Sequence, residues 1–298
     1  MIYSIAALGQ LSGLSTHTIR KWEQRYGALS PLRSSGNTRS YADEQLKRLL
    51  NLVSLTERGL PISKACTLSE KEIDNYLEPE TGSADDRSSF EYYLSRLIVA
   101  GLNYQEYAIH RLFDECIAAW GVAQTYQQVM YPLLVRLGMM WQRDRLCPAH
   151  EHFLSAIIRQ KIIAATEDLS PVKEAGPGWL LFLPEDEDHE IGLLFANYLL
   201  RLHQQKVIYL GAKVPLDNVK DILHSLKISH LLFFMTRKRP GSDAKNYLRA
   251  VASVAGDTSI CTAGNQKLLA GVPAGHAFSL LRTLADLEEK INKSRYDC

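Results

Sequence analysis

Residues 179–192 read Trp179-Leu180-Leu181-Phe182-Leu183-Pro184-Glu185-Asp186-Glu187-Asp188-His189-Glu190-Ile191-Gly192, an apolar run, an acidic turn and the head of an amphipathic helix. A short, unbroken apolar run reads as a strand buried on both faces, and the helix after it as the crossover of a βαβ unit. The rhythm continues to the end of the chain, with strands at Trp179 to Leu183, Lys206 to Leu210, His230 to Met235 and Ser259 to Ala263, and a fifth short one near Ala277. Helices are expected at about 189–203, 215–226, 242–254 and 279–292. The alternation predicts a flavodoxin-like (Rossmann-type) parallel sheet over residues 177–298. Such a sheet binds ligands beyond the carboxyl ends of its strands, where His189 stands. Glu187 can orient the imidazole and Gly192 bares backbone beside it, which suits a metal-centred cofactor arriving edge-on.

Upstream the rhythm is helical. Residues 89–172 carry long 3.6-residue patterns, such as Tyr92, Leu94, Leu97 and Ile98, then Ile157, Ile158, Ile162 and Ile163, which predict a four-helix bundle. Residues 71–88 are acidic, with Pro79, Gly82 and several serines, and are expected to form a linker. The whole is therefore a multidomain protein of α and α/β parts.

The first 70 residues alternate short helical patterns with turn signals. One helix runs from Ser4-Ile5-Ala6-Ala7-Leu8 to Gly13. A second, capped by Ser15 or Thr16, buries Ile19 and Trp22 and turns His17, Arg20, Lys21 and Arg25 outward. That is a helix-turn-helix with a basic second helix. Residues 30–41 follow as a hairpin or wing around Gly36-Asn37, then a helix capped by Asp43 and a shorter one after Pro61.

The net charge is only +1, yet Arg20, Lys21, Arg25, Arg33 and Arg39 face Glu23 alone, a cationic patch suited to a polyanion. Five cysteines without CxxC spacing argue against zinc and against a disulfide framework, and for a reducing cytoplasm. No apolar stretch approaches the roughly 18 residues that span a bilayer, and Met1-Ile2-Tyr3-Ser4 lacks the basic start of an export signal, so no membrane partner is expected.

Ile5-Ala6-Ala7-Leu8, then Leu14-Ser15-Thr16-His17-Thr18-Ile19-Arg20-Lys21-Trp22-Glu23-Gln24-Arg25-Tyr26-Gly27, Pro31-Leu32-Arg33 and Asn37-Thr38-Arg39-Ser40-Tyr41 resemble the MerR-type winged DNA-binding domain over residues 2–70. The resemblance implies double-stranded promoter DNA as partner, RNA polymerase as an indirect one, and a homo-oligomer, dimer or tetramer. It implies DNA contacts from Thr16, Arg20, Arg25, Arg33, Arg39 and Tyr41, to which the exposed face of the basic helix adds His17 and Lys21.

The remainder resembles the cobalamin-binding module of MerR-type light or cobalamin sensors and of corrinoid methyltransferases. Trp141 is followed, after nine intervening residues, by Glu151-His152, and Glu187-x-His189-x-x-Gly192 is similar to the element whose histidine becomes the lower ligand of cobalt. By that resemblance His189 ligates the metal, Trp141 covers the upper face of adenosylcobalamin beside its 5′-deoxyadenosyl group, and Glu151 and His152 hold or replace that group. Thr236, Ala263 and Gly264 line the site. Departures are visible: Glu187 replaces the usual Asp, and Phe234 stands where a small hydroxyl residue usually meets the nucleotide tail. Ala263-Gly264 replaces a Gly-Gly turn, and Gln142 stands where some photosensing members carry histidine. The expected function is a transcriptional regulator controlled by adenosylcobalamin, with light as a further input, through a change of oligomeric state. The alternatives are a MerR-type regulator whose sensor takes another ligand or a protein partner and, remotely, a corrinoid methyl carrier. No triad or P-loop points to catalysis.

Overall fold

In the computed structural model of the chain, residues 2–33, 39–77, 86–141, 148–170, 172, 178–237, 239–269 and 278–294 are described. Two compact units meet within a helix, Met1–Ile157 and Ile158–Cys298.

The first unit opens with strand β1 (Ile2–Tyr3), helix α1 (Ile5–Ser12) and helix α2 (Thr16–Tyr26). Ser4 and Ser15 are the N-caps, their hydroxyls accepting from the N–H groups of Ala7 and Thr18. Gly13 (φ 72°) and Gly27 (φ 60°) end the two helices in the left-handed region. Strands β2 (Leu32–Arg33) and β3 (Arg39–Ala42) make the wing, and β1 pairs with β3, so the small antiparallel sheet runs β1-β3-β2. The expected turn at Gly36-Asn37 lies outside the described residues.

Helix α3 (Asp43–Glu57) carries Leu46, Leu49, Leu50, Leu52 and Leu55 into the core. Asp43 is its first residue rather than its cap, and accepts from the Tyr3 hydroxyl instead (2.8 Å). Helix α4 (Ile62–Ala65) follows, then α5 (Glu70–Leu77). The stretch read as linker from residue 71 therefore begins as helix. Ser69 and Glu72 cap each other's backbone N–H groups, and Ile73 and Leu77 are fully buried. Residues 78–85 lie outside the described residues.

Helices α6 (Asp86–Leu102), α7 (Glu106–Thr125), α8 (Tyr131–Trp141) and α9 (Pro148–Glu167) supply the bundle expected from the helical periodicity. Gly121 (φ 73°, ψ 169°) interrupts α7, and a π-helical stretch, Tyr126–Met130, leads into α8. Helix α6 packs on α3, where Ser54 donates to Ser95 (3.2 Å).

In the second unit, β4 (Gly178–Pro184), β5 (Val207–Val214), β6 (Ile228–Met235), β7 (Ser259–Gly264) and β8 (Phe278–Leu280) form an all-parallel sheet in the order β5-β4-β6-β7-β8. The crossovers include α10 (Ile191–Leu202), α11 (Leu216–Ser225), α12 (Gly241–Ala255) and the short α13 (Gln266–Leu269), and α14 (Leu284–Ser294) ends the unit. Every residue of β4 is buried, as its unbroken apolar run requires. One core cluster joins Leu180, Phe182, Leu231 and Phe233 to Leu248 and Val251. Helix α14 starts later than its apolar pattern suggests, because Phe278–Leu280 are taken by β8 and Thr283 with Asp286 then caps the helix. With β4 between β5 and β6, the strand order reverses direction at β4, and the loops after β4 and β6 meet at that switch point.

Candidate functional site

Glu187 is the anchor of the sheet-edge site. It is wholly buried in the loop between β4 and α10. Its Oε2 accepts from the backbone N–H groups of Thr236 (2.6 Å) and Arg237 (2.7 Å), just past β6, and its Oε1 accepts from the N–H groups of Asp188 and His189 (both 3.2 Å). The same Oε1 meets His189 Nδ1 at 2.5 Å. Burial by itself raises the carboxyl pKa, but the bonds from the His189 ring and from the backbone of Arg237, Thr236 and His189 outweigh it and hold the value at about 2. A fixed carboxylate on Nδ1 favours the tautomer with its proton on Nδ1 and the lone pair on Nε2.

His189 lies two residues before α10 rather than inside it, and its side chain is 54% exposed. The Glu187 carboxylate gathers the N–H groups of residues 188 and 189 into a turn, and this delays the helix to Ile191. Among the described residues, Glu187, Asp188 and His189 form a group whose potential ligand atoms lie within 4.8 Å of one another, close enough to be able to hold a metal ion. Asp186 pairs with Arg239 (2.9 Å), and Arg237 Nη1 donates to the Asp186 carbonyl oxygen. Arg239 is only 7% exposed and lies over the Tyr247 ring. Lys238 lies outside the described residues.

The floor of the site is tight. A Cβ on Gly264 (φ 122°) would fall 2.3 Å from the Met235 carbonyl oxygen, so glycine is required where β7 closes on β6. Ala263 is buried and pairs with Phe234, and the Thr236 side chain is exposed. The Phe234 ring lies against Gly192 in the first turn of α10, with Cε1 3.0 Å from where a Cβ would sit.

Helix α9 carries Glu151 and His152 in its first turn, with Glu151 Oε2 3.2 Å from His152 Nδ1. Trp141 is the last residue of α8, and its side chain, like Gln142, lies outside the described residues.

In the winged part, His17, Arg20, Lys21 and Arg25 project from α2 into solvent and Thr16 is half-buried at its start. Arg33 is exposed on β2. Trp22, expected in the core with Ile19, is only half-buried, whereas Ile19 is fully so. Tyr41 corrects the sequence reading: it is fully buried, and its hydroxyl donates to Glu23 Oε2 (2.9 Å), so it offers no surface to a duplex. Arg39 donates to Glu23 Oε1 (3.0 Å). Glu23 thus ties the wing to α2. The signal for it was its place as the lone acid within the basic patch.

The profile of the MerR HTH family regulatory proteins matches residues 3–71, and that of the B12 binding domain matches residues 93–165. The HTH-type transcriptional repressor CarH of Myxococcus xanthus is 30% identical over 250 residues, 83% of this chain and 83% of its own length. The repressor CarA of the same organism is 32% identical over 217 residues, 72% of this chain and 70% of its own length. Among solved structures, the Methanosarcina barkeri monomethylamine corrinoid protein superposes with a TM-score of 0.52 at 14% identity, covering 66% of this chain and 96% of that one, a likeness of fold. Among the described residues, no helix is long and apolar enough to cross a membrane.

Proposed function

Since the chain belongs to the MerR family of helix-turn-helix transcription regulators, in the branch that also carries a B12-binding domain, we propose that it is a one-component regulator in which corrinoid binding sets the affinity for promoter DNA. It is a regulator and not an enzyme, as its relatives are transcriptional repressors. Residues 1–70 are proposed to read the duplex through Thr16, His17, Arg20, Lys21, Arg25, Arg33 and Arg39, with the buried Tyr41 holding the wing to α2. Residues 71–88 would connect this part to a helical cap at 89–172, and 177–298 would form the corrin-binding sheet domain.

The proposed cofactor is adenosylcobalamin. His189 would ligate its cobalt, oriented by Glu187, and Thr236, Ala263 and Gly264 would line the edge of the ring. Trp141, Glu151 and His152 would cover the opposite face. The observation that carries this reading is the buried Glu187 carboxylate, held by two backbone N–H groups from β6 and fixing an exposed imidazole at the switch point of the sheet. An imidazole oriented in advance is a good ligand for a first-row transition metal. The half of the site that would hold the metal fits a corrinoid; the slot behind it, closed by Phe234, does not fit a nucleotide tail.

Regulation would follow linkage: a ligand that favours one oligomeric state shifts operator occupancy by its differential affinity for the two states. The homo-oligomer would present paired winged domains to the promoter and so affect RNA polymerase indirectly. Gel shifts on the DNA upstream of its own gene, with and without adenosylcobalamin, dark and illuminated, test the proposal. Affinity that changes with the cofactor supports it, and a further change on illumination adds light as an input. Affinity indifferent to the cofactor, together with loss of colour on desalting, would favour a sensor for another ligand, the reading that Phe234 supports.

A further inference from the structure

Cobalamin carries a nucleotide tail beneath its ring, and the terminal base of that tail can occupy the lower position on cobalt. A protein imidazole in that position displaces the base, and the tail must then be housed or left in water. Any housing beneath His189 would have to open between the start of α10 and β6, because α10 follows the loop that carries the imidazole and the end of β6 is bonded to that loop through Glu187.

In this chain that space is filled. Phe233 and Phe234 point to opposite faces of the sheet, as successive strand residues do. Phe233 enters the core, its ring 6.1 Å from that of Tyr247, and Phe234 therefore faces α10. There its ring lies on the bare backbone of Gly192, with Cε1 and Cδ1 3.0 and 3.3 Å from the position of an absent Cβ. The neighbouring strand leaves no slack, as β7 closes on Met235 through Gly264. The space left by the missing side chain at Gly192 is thus taken by a phenyl ring.

Resting on the corrinoid reading above, we propose that Phe234 is a specificity-determining residue that excludes the lower nucleotide tail, so that the chain prefers corrinoids lacking it, the cobinamide class, over cobalamin. The imidazole of His189 then meets an open lower face with no base to displace. A tail forced into the slot must drive the phenyl ring out of its packing, and misfits of this size typically weaken binding on the order of tenfold.

Equilibrium dialysis of the full-length protein in darkness against adenosylcobinamide and adenosylcobalamin tests this. Wild-type protein is expected to hold cobinamide on the order of tenfold more tightly. Phe234→Thr and Phe234→Ser should tighten cobalamin and leave cobinamide nearly unchanged. The wild-type comparison stands even if a variant folds poorly. Equal affinities, or a preference for cobalamin, would overturn this inference and leave the corrinoid reading intact. Binding of neither compound would overturn that reading itself, and the inference with it.

Discussion

Arg136 of α8 and Glu91 of α6 meet as a fork on a carboxylate, Nη1 to Oε1 and Nη2 to Oε2 at 2.8 Å each, and Nη1 also donates to the Leu11 carbonyl oxygen (3.3 Å) in the last turn of α1. The bundle thus grips the turn between the two helices of the winged part, beside Gly13. Both side chains are largely shielded from water. Removing one partner strands the other charge, so Arg136→Met and Glu91→Gln should each cost about 2–3 kcal/mol in urea unfolding. Arg136→Met with Glu91→Leu should cost less than the sum of the single changes. Strict additivity would show that the pair does not act as a unit.

Tyr41 and Arg20 should separate positioning from contact. Arg20→Ala removes an exposed cation from α2 and should weaken operator binding while lowering the slope of log affinity against log salt by about one. Tyr41→Phe deletes the bond to Glu23 from a buried hydroxyl. It should lower stability by about 1 kcal/mol, with the salt slope unchanged. Fluorescence anisotropy across a salt series, paired with thermal melts, reads both. A fall in slope with Tyr41→Phe would mean that the tyrosine reaches phosphate.

Two glycines should respond oppositely to alanine. Gly138 lies within α8 with nothing within 4 Å of its would-be Cβ, so Gly138→Ala should stabilise by about 0.5–1 kcal/mol. Gly264→Ala must adopt φ 122° and collide with Met235. A loss of more than about 2 kcal/mol is expected in chemical denaturation.

The sheet was legible in the sequence because complete burial writes an unbroken apolar run: the four strands given bounds each overlap a real one, and the fifth, expected near Ala277, begins at Phe278. Glu187 and His189 were legible as a pair because only one residue separates them. Their full environment was not: the donors from Thr236 and Arg237 are backbone groups some fifty residues away and carry no side-chain signature. Helix α5 hid within acidic composition, although its Ser69-x-x-Glu72 box was present. Tyr41 was misread because a tyrosine in a wing is equally able to face a duplex or to cap a buried carboxylate, and only the fold brings Glu23 within reach.

Glu187→Gln keeps the shape of the buried loop and replaces the charged acceptor with an amide. Corrinoid affinity should fall by about 10–100-fold, the usual consequence of loosening a partner of a metal-bound imidazole. Absorbance titration measures the change, and circular dichroism checks that the sheet persists. Undiminished affinity would detach Glu187 from ligand binding.

Whether His189 ligates cobalt is read most directly by electron paramagnetic resonance of the full-length protein loaded with Co(II) cobinamide, which brings no base of its own. An axial imidazole should split the cobalt lines into triplets, and protein grown on histidine labelled with heavy nitrogen should turn these into doublets. His189→Ala should show neither. Splitting that ignores the label, or that survives in His189→Ala, would contradict the account.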